Sequence, residues 1–111
     1  MSPSPASNPV LGLLGLGRRG GKVVVGVDRV RAELQKDRIR CVVVASDASP
    51  RAREKVVRLA RAKGVPMIGG PAAEAIGNQL GGSGIMVVGV ADPALARGLI
   101  EAGQAVSQTE V

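Results

Sequence analysis

Two groups of residues in this 111-residue chain have types and spacings that can do chemistry, and both point to an anion. The first is Gly15-Leu-Gly17-Arg-Arg-Gly20, which matches the GxGxxG pattern that cradles a pyrophosphate when it follows a strand and opens a helix. Here the order is reversed: a helical segment precedes the glycines and the β-branched run Lys22–Val25 follows them. Their expected work is to end the first helix and turn the chain. Gly69-Gly70 and Gly81-Gly82-Ser83-Gly84 resemble phosphate loops, but neither is followed by the Lys-Ser/Thr of a P-loop. The second group is basic. Arg18, Arg19 and Lys22 precede a strand, and Arg29 and Arg31 begin the helix after it. If that corner folds back, cations converge around a helix N-terminus, whose free N–H groups attract an anion on their own.

Other chemistry is excluded by what is missing. With no His, one Cys and scattered carboxylates, the chain offers no zinc cluster, no Ser-His-Asp or Cys-His arrangement and no calcium cage. Catalysis and a bound cofactor are therefore not expected. The lone Cys41 heads the run Val42-Val43-Val44 and reads as a small core residue. Fifteen Lys and Arg against nine Asp and Glu give a formal charge of +6, which favours a polyanionic partner, nucleic acid before an acidic membrane. The absence of Phe, Tyr and Trp removes the stacking platforms on which single-strand binders hold bases. The apolar run Val10–Leu16 is too short to span a membrane and follows no basic segment, so the chain reads as cytoplasmic.

The elements that must position these residues alternate. β-Branched runs at Lys22–Val25, Cys41–Ala45, Pro66–Ile68 and Ile85–Val90 predict four strands. Helices are predicted over Pro9–Gly17, over Val27–Lys36, and from Ser49-Pro50 to Lys63, with two more from Pro71 to Leu80-Gly81 and from Asp92-Pro93 onward. The third helix should bury Ala52, Val56, Leu59 and Ala60. Four strands with five helices predict a three-layer α/β/α sandwich around a mixed four-stranded sheet. Residues 10–103 read as one domain. The Ser-, Pro- and Asn-rich residues 1–9 and the stretch 104–111 read as mobile tails.

Charge is concentrated in two segments. Arg18 to Arg40 carries +5, Arg51 to Lys63 another +5, and all other residues together −4. On the third helix Arg51, Lys55 and Arg58 lie opposite the apolar face, with Glu54 four residues before Arg58, the pattern of a solvated face.

The ordered pieces Leu11-Gly-Leu-Leu-Gly-Leu-Gly-Arg-Arg-Gly-Gly-Lys22-Val-Val-Val-Gly26, Cys41-Val-Val-Val-Ala-Ser-Asp47-Ala-Ser, Lys63-Gly-Val-Pro66, Ile76-Gly77 and Val87-Val-Gly-Val-Ala-Asp92 are similar to a known group. They resemble the kink-turn RNA-binding ribosomal proteins, the superfamily of archaeal L-seven-Ae and eukaryotic L-thirty-e. Within it they most resemble the bacterial YlxQ-like branch. The resemblance runs from Leu11 to Leu99 and implies an α/β/α sandwich that binds kink-turn or related ribosomal RNA, with no reading of DNA sequence. It further implies that the start of the second helix enters the RNA major groove and that the loop before the last strand supports a flipped-out base. Such a mode needs no aromatic side chain.

Carried over, the resemblance assigns RNA contacts to Lys22, to Gly26, Val27, Asp28, Arg29 and Arg31, to Arg53, and to Gly82, Ser83, Gly84 and Ile85. The archaeal pattern Gly-x-Asn-Glu-x-x-Lys reads here Gly26-Val-Asp28-Arg29-Val-Arg31-Ala32. Asp28 can accept from guanine edges as Asn does, and Arg29 can donate to guanine O6/N7 or to phosphate. The Lys is replaced by Ala32, with Arg31 beside it as a substitute charge. The ribosome is one context for such a protein. A protein–protein adaptor on the same fold, as in the Gadd branch, is the alternative, for which a less basic chain is expected.

Overall fold

A computed structural model describes residues 8–110 and contains nine elements. They are α1 (Pro9–Arg19), β1 (Val23–Val25), α2 (Val27–Gln35), β2 (Cys41–Val44), α3 (Pro50–Ala62), β3 (Met67–Gly69), α4 (Ala73–Leu80), β4 (Val87–Val90) and α5 (Pro93–Glu110). The strands form one mixed sheet in the order β1-β4-β2-β3. β4 is antiparallel to both β1 and β2, and β2 is parallel to β3. α2 and α3 pack together over one face, while α1 packs with α4 and α5 over the other. This is the expected three-layer α/β/α sandwich.

The central strands explain the β-branched runs. Every residue of β2 and β4 is buried, as strands covered on both faces require. The edges β1 and β3 are only three residues long, which limits their exposed hydrogen-bonding groups. Without aromatic rings, Leu11, Leu14, Leu34, Ile76 and Leu99 provide the largest fully buried side chains. On α3, Ala52, Val56 and Ala60 are buried as expected, whereas Leu59 is only half-buried, at the margin between α3 and α2.

Two boundaries differ from the sequence expectation. α1 runs two residues past Gly17 to Arg19, so Gly15 and Gly17 lie inside the helix and do not end it. A Cβ at Gly15 would meet the Gln79 side chain at 2.6 Å, and one at Gly17 would meet Val23 at 2.9 Å and Leu95 closer still. These glycines bring α1 against its neighbours, and the turn falls to Gly20-Gly21. At the other end, α5 continues to Glu110 through the stretch expected to be a loose tail, because no Pro or capping side chain interrupts it after Gly103. α1 starts at Pro9 as the helix prediction places it, preceded by Asn8 as its cap; residues 1–7 of the expected N-terminal tail lie outside the described residues.

Cys41 has no solvent exposure, and burial pushes its thiol up to about 12. The folded state therefore keeps the proton where the unfolded chain, with a thiol pKa of about 8.5, has lost it. Stability from this group is complete below that unfolded value and is lost as pH rises toward 12. Urea unfolding followed between pH 8 and 11 should show stability falling by up to about 1.4 kcal/mol per pH unit above about pH 9. The Cys41→Ala variant should lack this component of the slope.

Candidate nucleic-acid interface

The topology brings four chain corners to one end of the sheet. β1 and β2 are both antiparallel to β4, so they run in the same direction, and α2 and α3 start from the same end. The loop before β4 and the C-terminal end of β3 arrive there as well. Backbone hydrogen bonds tie these corners together. Gly26 N–H donates to the Val87 carbonyl (3.0 Å), Ala45 N–H to the Met86 carbonyl (2.8 Å), and Ser46 N–H to the Pro71 carbonyl (3.1 Å). The start of α2 and the glycine loop are thereby fixed side by side.

Capping distinguishes α2 from the other helices. Asn8 caps α1, Ser49 caps α3, Asp92 caps α5, and the Asp47 carboxylate accepts from the Ala73 N–H at the head of α4 (2.8 Å). Among the described residues α2 alone has no side-chain acceptor at its N-terminus. Its cap is Gly26 at φ 103°, a conformation that side-chain-bearing residues rarely adopt. The N–H groups of Val27, Asp28 and Arg29 have no carbonyl within the helix to meet. They leave a partial positive charge beside Asp28 and Arg29, which are both exposed, while Val27 is half-buried.

Opposite them, Gly81, Gly82, Ser83 and Gly84 are exposed. Their backbone rests on α4: Gly82 N–H donates to the Gly77 carbonyl (2.8 Å) and Ile85 N–H to the Ala73 carbonyl (3.2 Å). Ile85, to which the resemblance assigns an RNA contact, is 8% exposed and belongs to the core, with its side chain turned inward under Gly82. Arg53 is exposed in the first turn of α3 and lines a cleft of about 580 Å³ with Ser46, Val57 and Gly70.

Two expected site residues stand elsewhere. Lys22 precedes β1 and Gly26 follows it, which separates them by roughly 13 Å of extended chain. Lys22 reaches Asp92 instead (4.0 Å). Arg18 and Arg19 sit in the last turn of α1, where cations complement the helix C-terminus. The expected convergence of Arg18, Arg19 and Lys22 with Arg29 and Arg31 does not occur. Arg31 is half-buried against α3, one turn beyond the exposed start of α2.

Sequence reasoning missed two supports. Gly77 is buried beneath the glycine loop, where a Cβ would meet Gly84 N at 2.9 Å, Ser83 Cα at 3.0 Å and Gly82 O at 3.2 Å. Helical spacing on α4, with Ala73, Ile76 and Leu80 buried, was the signal for its inward position. Asp47 joins the β2–α3 corner to α4 across 26 residues, a contact with no local signature.

The fold is an α/β/α sandwich in which the start of α2 lacks a side-chain cap. The family model for the Ribosomal protein L7Ae/L30e/S12e/Gadd45 family matches residues 10–107, and the chain belongs to that family. No curated protein matches it. Among solved structures, a protein with unknown function from Bacillus halodurans C has the same fold, with TM-score 0.84 and 23% identity over 88% of this chain and 99% of the other. The Giardia lamblia 15.5kD RNA binding protein also shares it, with TM-score 0.71 and 21% identity over 97% of this chain and 92% of the other.

Proposed function

We propose that this protein is a non-catalytic RNA-binding protein that recognises kink-turn-like structured RNA, with ribosomal RNA as one source. The observation that carries the reading is the uncapped start of α2, which the Gly26–Val87 hydrogen bond ties to the first residue of β4, just after the exposed glycine loop. Family membership and the RNA-binding neighbour of the same fold support it. So does a charge of +6, which favours RNA over the adaptor reading.

In this reading, the α2 N–H groups and Arg29 hold phosphate or guanine, and Asp28 accepts from base edges exposed by the bend. The backbone of Gly82, Ser83 and Gly84 approaches the opposite side of the bent strand, where the absence of side chains permits close contact. Arg53 adds a cation at the neighbouring cleft. Among the described residues no helix is long and apolar enough to cross a membrane.

A gel shift tests the reading with a short kink-turn RNA and a straight duplex of equal length. The kinked RNA should bind at least tenfold more tightly, a difference of about 1.4 kcal/mol. Equal binding to both, abolished together by moderate salt, would reduce the interaction to nonspecific electrostatics and sink the proposal.

A further inference from the structure

The third helix presents the solvated face that its sequence pattern describes, with Arg51, Lys55 and Arg58 exposed, and α2 adds a further cation beside it. Arg31 of α2 joins Arg51, Lys55 and Arg58 of α3 along a groove of about 490 Å³, with Glu54 as the groove's one acid. Glu54 is already engaged by Arg58 at 3.2 Å. Among the described residues Arg31, Arg51 and Lys55 form no ion pair. The Nε–H of Arg31 is shielded from solvent and lacks a hydrogen-bond acceptor. Three of the four cations are gathered here without an ion-pair partner, which costs free energy unless an anion supplies one.

We infer that the α2–α3 groove is a second RNA surface, which holds the backbone phosphates of a helical stem adjoining the kink. The inference rests on the RNA-binding reading of the α2 start and extends its footprint. Its geometry follows from the topology: α2 and α3 start at the same end of the sheet and pack together, so the groove leads away from the exposed turn that carries Arg29. Arg31 is two positions after Arg29, about 3 Å along the helix axis. From Arg51 to Arg58 the stripe extends about 10 Å along α3. Each strand of a duplex carries a charge about every 3.4 Å of axis, so the stripe faces several phosphates in succession. Cations without aromatic neighbours suit a backbone and read no bases. The guanidinium groups can each fork two N–H groups toward a phosphate.

The experiment compares two kinked RNAs that differ only in one stem, a short form and a form six base pairs longer, titrated against the full chain at several salt concentrations. For the unmodified protein, the longer stem should bind roughly tenfold more tightly and steepen the salt dependence by about 2 in log K against log salt. The variant carrying Arg51→Gln and Lys55→Gln, both at exposed positions, should keep the affinity for the short form and lose both gains. Arg31→Gln should lose part of them. An unchanged stem-length gain in the double variant would overturn the inference while leaving the α2 start in place. So would a double variant whose only loss is binding to an acidic peptide such as polyglutamate. Failure of the unmodified protein to bind either RNA would remove both readings together.

Discussion

Arg29→Ala is expected to weaken binding of a kinked RNA roughly 10- to 100-fold while leaving the fold as stable as before or slightly more so. A good bidentate contact from Arg to a guanine edge is worth about 1–3 kcal/mol, and loss of a phosphate contact adds a salt-dependent part. Stability moves the other way for two reasons. Arg29 is exposed in the first turn of α2, where a cation opposes the positive end of the helix dipole, an unfavourable placement of about 0.3–1 kcal/mol. Alanine is also the strongest helix former. Thermal unfolding should therefore shift by no more than a few degrees, upward if at all, as the gel shift loses its bound band. A fall in stability together with affinity would assign Arg29 a structural role and weaken the case for the α2 start as the contact surface.

Gly77→Ala should act from beneath the site. The new methyl group would lie 2.9 Å from Gly84 N, 3.0 Å from Ser83 Cα and 3.2 Å from Gly82 O, all of them backbone atoms. No side-chain rotation relieves such contacts. The loop has to lift, and the Gly82-to-Gly77 hydrogen bond of 2.8 Å stretches with it. Overpacking of this kind costs about 1–3 kcal/mol. Because the loop leads into Val87, whose carbonyl anchors Gly26, the displacement reaches the opposite wall of the interface as well. A tenfold or greater loss of kinked-RNA affinity is expected, with amide chemical-shift changes concentrated at residues 82–87. Gly12→Ala is the control. It adds the same methyl group on α1, where nothing lies within 4 Å, and should leave RNA affinity unchanged while raising stability by about 0.5–1 kcal/mol through helix propensity. Unchanged affinity in a folded Gly77→Ala protein would show that the loop takes no part in binding.

Much of the fold was legible because its signals are local. Cys41 through Val44 and Val87 through Val90 are β-branched runs with no polar break, as strands buried on both faces require. Ser49-Pro50 and Asp92-Pro93 each combine a capping oxygen with a proline at the first helical position, and both open helices where expected. Gly15 and Gly17 misled because a glycine that ends a helix and a glycine that admits a neighbouring helix look alike in sequence. The side chains of Gln79 and Leu95, which decide between the two, are more than sixty residues away.

The candidate site divides along the same line. Gly26 and Asp28 entered the candidate site through the resemblance, and Arg29 also through the strand–helix corner it occupies; all three lie at the uncapped start of α2. For Ile85 the sequence left two roles open, because an apolar residue after a glycine loop suits either a ligand or the core, and packing against α4 turns its side chain inward. Lys22 was grouped with the wrong end of its strand: proximity in sequence across an extended segment is distance in space.

By itself the sequence determined a basic α/β domain without His or aromatic side chains, and it marked the start of α2 as a place for an anion. Composition, period and capping chemistry act over a few residues and need no partner to be read. The tertiary structure alone decided which charges become neighbours. It sent Lys22 to Asp92, moved Arg31 from the exposed start of α2 to the stripe on α3, and set the glycine loop on Gly77. The first two choices depend on the strand order β1-β4-β2-β3, which brings together residues 20 positions apart for Arg31 and Arg51 and 70 apart for Lys22 and Asp92, through contacts that no local pattern encodes.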